Sequence, residues 1–179
     1  MKPRLCLSVL LWTLLLSAIS VSCAPVPSES ISLASFTENY VDVSLYLKHD
    51  PAGNTFLSGT FTPPDGYHLY SKDIPITGVN GLGRPTLLEL AEESEIKSLG
   101  KLTETVEAHE PDFDPKELLV YPAGAVSLSL PIKLPPGNHW IDDELKITYM
   151  ACSASQCKPP VVGKIVPVRI PGANVFGHP

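Results

Sequence analysis

The stretch Glu144-Leu-Lys-Ile-Thr-Tyr-Met-Ala-Cys-Ser-Ala-Ser-Gln-Cys-Lys-Pro-Pro-Val-Val-Gly-Lys-Ile-Val-Pro-Val-Arg-Ile170 decides how this chain is read. From Glu144 to Ala151, Leu145, Ile147 and Tyr149 alternate with Lys146, Thr148 and Met150, the period of two expected of a half-buried strand. Val161 to Ile170 is rich in Val and Ile, which suit a pleated surface. Together the runs predict a β-hairpin with Cys152 and Cys157 at its tip, four residues between them. Pro159 and Pro160 have no N–H to give a ladder, so they belong at the strand edge and stiffen the exit from the loop.

Hairpin geometry brings two such cysteines within the separation a disulfide needs. Closing so short a loop removes little unfolded-chain entropy, roughly 2 kcal/mol on the chain-entropy model, and a domain of this length can build a core without staples. The pair is therefore a modest stabiliser and an accessible redox couple. Its spacing alone leaves three readings open: a structural disulfide, a redox-active pair, or part of a metal site.

Outward from the hairpin the chain reads as strands and turns. Residues 24–36 are a Pro/Ser-rich stretch that reads as a flexible lead. Tyr40 to Lys48 alternates Val41, Val43, Leu45 and Leu47 with polar residues, and Asp50-Pro-Ala-Gly-Asn54 carries turn residues. Thr55 to Thr62 is the next strand, with Gly59 read as the mark of a bulge. Pro63-Pro-Asp-Gly66 turns the chain into Tyr67-His-Leu-Tyr-Ser-Lys-Asp73. Pro85 to Leu90 is a strand candidate, and Ala91 to Leu99 is polar enough for a short helix or an excursion. Glu110-Pro-Asp-Phe-Asp-Pro115 is predicted to be a rigid, exposed loop in which Phe113 needs something to cover. Leu118 to Tyr121 and Ala125 to Lys133 resume the strand pattern, and residues 172–179 read as a loose tail. Many short strands between Pro/Gly turns, with no convincing amphipathic helix, predict an all-β, antiparallel sandwich over residues 37–171.

The beginning of the chain has the pattern of a secretory signal over residues 1–23. Lys2 and Arg4 precede a leucine-rich apolar core from Leu5 to Ile19, and small residues follow at Ser20, Ser22 and Ala24. The apolar run is short for a membrane span, which favours cleavage over anchoring by a helix. Val21-Ser22-Cys23 also suits a lipoprotein signal with an acylated Cys23 as the first mature residue, although Ser20 stands where a bulky aliphatic is usual. Either way the expectation is an exported protein. Cys6 and Cys23 then fall outside the folded domain, leaving Cys152 and Cys157 as an even pair in an oxidising compartment. Removing the two basic residues of the signal from 13 Lys+Arg leaves 11 against 19 Asp+Glu, a net charge of −8. With no basic cluster, nucleic acid and anionic membrane surfaces are poor partners.

Three blocks in this order resemble the N-terminal periplasmic domain family of the bacterial thiol–disulfide interchange protein DsbD: Asp65-Gly-Tyr-His-Leu-Tyr-Ser-Lys-Asp-Ile74, His109-Glu-Pro-Asp-Phe113 and Thr148-Tyr-Met-Ala-Cys-Ser-Ala-Ser-Gln-Cys-Lys-Pro-Pro160. The last, a strand ending in tyrosine followed by a close cysteine pair and Pro-Pro, is the specific one. The resemblance implies an immunoglobulin-like sandwich whose cysteines relay electrons without a cofactor. It implies that Cys157 forms the mixed disulfide with partners and Cys152 resolves it. Phe113, with Asp112 beside it, matches a cap loop that lies over the disulfide and swings aside, and Tyr67 and Tyr70 match aromatics packed near the pair. The implied partners are a thioredoxin-like donor domain or membrane electron carrier on a separate chain, and periplasmic thiol–disulfide proteins as acceptors.

The chain departs from that family in three ways. Four residues separate the cysteines where the best-known members have five, the segment between Ile76 and His109 is long, and the sequence has no electron-carrying transmembrane domain and no Cys-x-x-Cys thioredoxin domain. The expectation is thus a freestanding relay module. Lys158 is the only cation near the pair in sequence, so the disulfide reads as an acceptor attacked by a partner's thiolate rather than as a strong nucleophile. His109 and His139 stand at no zinc spacing from the cysteines, and no spacing signals a hydrolase. The competing class is an immunoglobulin-like binding or assembly module whose disulfide is purely structural.

Overall fold

The computed structural model describes residues 30–176. Residues 1–29, on which the expected signal segment and Cys23 fall, and residues 177–179 lie outside the described residues. The described residues form eleven strands in chain order: β1 (Ser30–Glu38), β2 (Val41–His49), β3 (Thr55–Thr62), β4 (His68–Leu69), β5 (Leu87–Leu90), β6 (Lys97–Ser98), β7 (Thr103–Glu104), β8 (Val126–Lys133), β9 (Trp140–Tyr149), β10 (Ala151–Cys152) and β11 (Val161–Pro171). Among the described residues there is no helix, and every strand pairing is antiparallel. One sheet runs β1-β2-β3-β8-β6 with β7 also on β8, the second runs β11-β9-β5, and β4 pairs with β10 apart from both. The expected all-β, antiparallel sandwich is present.

Alternation builds the core. Val41, Val43, Leu45 and Leu47 of β2, Leu57 and Phe61 of β3, and Val126, Leu128, Leu130 and Ile132 of β8 turn one way. They meet Leu88 of β5, Leu145, Ile147 and Tyr149 of β9, and Val166, Val168 and Ile170 of β11 in one buried cluster. Each such side chain contributes roughly 1.5–3 kcal/mol when fully buried. Phe61 and Tyr149 touch edge to face across the two sheets, with centroids 5.8 Å apart.

Four details correct the sequence reading. Residues 30–36, read as flexible lead, belong to β1, which pairs with β2 from Ser30↔Lys48 to Glu38↔Val41. Its alternation was hidden because a register shift between Ser32 and Ala34 moves the apolar phase from Ile31 and Leu33 to Ala34 and Phe36. Gly59 is no bulge: it pairs in unbroken register with Leu45 on one side and Leu128 on the other. A Cβ there would sit 3.2 Å from Leu45, Leu88 and Phe61, so glycine lets the opposite sheet approach closely. The bulge is at Gly163 in β11, where the backbone is left-handed (φ 61°), the register shifts between Val161 and Lys164, and the buried phase passes from Val161 to Val166.

Residues 172–176 are also not loose. Gly172, Ala173 and Asn174 donate backbone hydrogen bonds to His139, Pro135 and Gly137, and Phe176 is buried with its ring stacked on His49. Leu118 to Tyr121 makes isolated bridges rather than a sheet strand, with Val120 bridging His109 and Tyr70. Residues 91–96 form turns that lead into β6, so Ala91 to Leu99 is an excursion and not a helix.

Candidate functional site

β9 and β11 form the long hairpin, pairing from Tyr149↔Val161 to Trp140↔Pro171, and the cysteine loop closes its end. Past Met150 the chain leaves that ladder. Ala151 and Cys152 pair instead with Leu69 and His68. The loop is ordered by its own hydrogen bonds: Ser153 N–H donates to the Gln156 carbonyl (2.8 Å), Ser153 Oγ accepts from Gln156 N–H (3.2 Å), and Lys158 N–H donates to the Ala151 carbonyl (2.8 Å). Cys152 and Cys157 are joined in a disulfide.

The two sulfur-bearing residues differ in environment. Cys152 is 2% exposed, packed in a small second cluster with Tyr70, Ile74, Leu118 and Val120. Cys157 is exposed. Beside it, the Lys158 ammonium lies over the ring of Tyr40 (4.2 Å) and near that of Tyr67 (5.2 Å), and Asn39 Nδ2 donates to the Pro159 carbonyl (2.9 Å). Asn39 and Tyr40 form the two-residue β1–β2 turn with positive φ (48° and 66°), the handedness a tight hairpin favours. That turn therefore braces the exit of the cysteine loop from a distant part of the chain.

A cleft of about 480 Å³ opens at the disulfide, bordered by both cysteines, His68, Tyr70, Met150 and Phe113 among others. Residues 81–84 also line it, as part of the segment 77–84, which the sequence left without a role. There the Arg84 guanidinium gathers the carbonyls of Thr77 (2.9 Å), Gly81 (3.1 Å) and Gly83, folding the segment back on itself and exposing Leu82 at the rim. Gly83 has a positive φ, and a Cβ on it would lie 2.8 Å from the Leu118 side chain, so the wall packs tightly on Leu118 and Tyr70. Thr86 anchors the segment by donating its hydroxyl to the Tyr70 carbonyl (2.8 Å).

The residues singled out in sequence distribute as follows. Tyr70 is buried against Cys152, and burial pushes its phenol pKa up. Tyr67 does not border the cysteine cleft; it packs on the main core and faces Lys158. Phe113 borders the cleft, is 42% exposed, and stacks on His68 with centroids 6.0 Å apart. Asp112 is exposed and faces a neighbouring hollow with His109, whereas Asp114 borders the cysteine cleft. Among the described residues, no three His, Cys, Asp or Glu side chains converge as a metal site requires.

His68 is the residue that sequence reading passed over. It is the strand partner of Cys152, its ring lies between Phe113 and Tyr70, and its Nε2 is buried with no hydrogen-bond partner. Burial first, and the neighbouring His109 second, push its pKa below the ordinary histidine value. In sequence it is one histidine in Tyr67-His-Leu-Tyr70, and only the long-range pairing with Cys152 distinguishes it. No family model, no curated protein and no solved structure significantly matches the chain.

Proposed function

We propose that this protein is an exported thiol–disulfide relay of the DsbD N-terminal type, passing electrons through Cys152 and Cys157 between a thioredoxin-like donor and extracytoplasmic disulfide proteins. The observation that carries the proposal is the asymmetry of the pair, with Cys157 exposed at the mouth of a cleft and Cys152 buried behind it. Exchange requires one sulfur within reach of a partner and a second close enough to resolve the mixed disulfide. In the reducing direction a donor thiolate attacks Cys157 Sγ, the Cys152–Cys157 bond breaks, and Cys152 leaves as a thiolate that takes up a proton. The donor's second thiolate then attacks its own sulfur in the mixed disulfide and releases Cys157, leaving the relay as a dithiol and the donor as a disulfide. The lining supports a docking role for the cleft, since Phe113 and Leu82 are both exposed there and offer apolar surface to a partner.

The test uses a thioredoxin whose resolving cysteine is replaced by serine, mixed in reduced form with the disulfide form of this protein. A stable mixed disulfide should accumulate and map by peptide mass to Cys157. Linkage to Cys152, or no linkage, would contradict the proposal and favour a binding module with a structural disulfide.

A further inference from the structure

His68 stands opposite Cys152 in the β4–β10 pair. Directly opposed residues share a face of the sheet with Cβ atoms roughly 4.5–5.5 Å apart, which sets the imidazole beside the Cys152 side chain. Both residues border the same cleft. The ring is fixed from two sides, edge-on to Tyr70 (5.3 Å, 88°) and stacked on Phe113 (6.0 Å, 30°). Its Nε2 is shielded from water and has no partner among the described residues, which is costly for a polar atom unless it serves something the resting state does not show.

Resting on the relay reading, we infer that His68 is the proton acceptor for Cys152 in the step that resolves the mixed disulfide. The need for one follows from burial. Reduced Cys152 is a thiol packed among apolar side chains, where the thiolate is disfavoured. In the direction that reduces an acceptor, Cys157 loses its proton to solvent and attacks one sulfur of the acceptor disulfide. That bond breaks, the acceptor's other sulfur leaves as a thiolate and takes up a proton, and Cys157 is linked to the first. Cys152 Sγ–H then gives its proton to the neutral imidazole, and its sulfur attacks Cys157 Sγ. The bond between Cys157 and the acceptor breaks, and the acceptor sulfur leaves with the electron pair and is protonated by the imidazolium or by water. Two protein thiols are oxidised and one acceptor disulfide is reduced.

The titratable and charged groups around His68 are Cys152 across the pair, Cys157 on the same cleft, Tyr67 and Tyr70 on its own segment, His109, Asp112 and Asp114 around the Phe113 loop, Tyr121, and Arg84, which also lines the cleft. Of these, His109 shifts it by charge, in the same direction as burial. Both influences favour the neutral imidazole, the form that can accept a proton.

The experiment follows the reduced protein reacting with oxidised glutathione as probe, acid-quenched and read by intact mass, so that formation and resolution of the Cys157–glutathione adduct are timed separately. His68→Gln and His68→Phe are compared with the unaltered protein; Phe retains an aromatic ring between Phe113 and Tyr70 but has no base. Both variants should resolve the adduct about 100-fold more slowly, the order of a general-base contribution. Adduct formation in a Cys152→Ser background should be the same with and without the His68 change. The resolution rate of the unaltered protein should also fall as pH drops through the His68 titration, below the ordinary histidine value, with that inflection absent from both variants. Resolution by His68→Phe at the original rate would overturn the inference and leave the relay standing. An unaltered protein that forms no adduct would sink the relay reading, and this one with it.

Discussion

The sandwich and the cysteine end are held in different ways. β2 and β3 pair without a break from Asp42↔Thr62 to His49↔Thr55, and β3 continues into β8 from Phe61↔Val126 to Phe56↔Pro131. At the other end, β4 and β10 share only two residue pairs, and the surrounding segments make isolated bridges. The first region buries one apolar cluster contributed by both sheets; the second has a cluster of Tyr70, Ile74, Leu118, Val120 and Cys152, with loops for walls. Long registers and a shared core resist opening, whereas short pairings and loop walls open at low free energy. Stability therefore resides in the first region and freedom to open in the second.

The strongest way to break that assignment is to truncate a core side chain. Leu128→Ala should cost about 2–5 kcal/mol, seen as a lower urea midpoint, because Leu128 is fully buried in the middle of β8. Gly59→Ala should cost less, about 1–3 kcal/mol, since the added methyl must displace Leu45, Leu88 and Phe61 by a few tenths of an ångström. Reduction of Cys152–Cys157 should cost roughly 2 kcal/mol at most, given the short loop, and should leave the far-ultraviolet dichroism of the sandwich intact. A reduced protein that unfolds would place the disulfide among the structural supports.

Smaller effects sharpen the contrast. The folded-state pKa of His68 is depressed, so the stability it contributes is present above the unfolded value of about 6.5 and is lost as pH falls from there through the folded value. His68→Phe should flatten that part of the stability–pH curve measured by urea titration. Phe113→Ala, on an exposed loop, should change stability by no more than about 0.5 kcal/mol while speeding the reaction of the reduced pair with small oxidants. An unchanged rate would remove Phe113 from the shielding of the cysteines.

What the sequence made legible was whatever rests on alternation. β3 spans the residues the pattern marks, and β2, β8 and the β9–β11 hairpin fall within a few residues of it, because one buried face imposes a strict period of two. β1 escaped because its phase shifts at Leu33 and because the Asn39-Tyr40 turn lacks the glycine that usually announces such a hairpin. The tail escaped because Phe176 is a single aromatic whose burial depends on His49, far away in the chain. At the candidate site, the cysteine pair and Phe113 were visible as local motifs. His68 and the 77–84 wall were not, since their placement comes from long-range contacts: a two-residue strand pairing for one, and Arg84 and Thr86 hydrogen bonds for the other.

The most direct test is a redox equilibration of native protein against graded ratios of reduced and oxidised glutathione or dithiothreitol, with thiols trapped by alkylation and fold followed by dichroism. Reversible two-electron conversion of Cys152 and Cys157 at an intermediate ratio, with the sandwich folded throughout, is the predicted result. A disulfide that survives every ratio until the protein unfolds would contradict it.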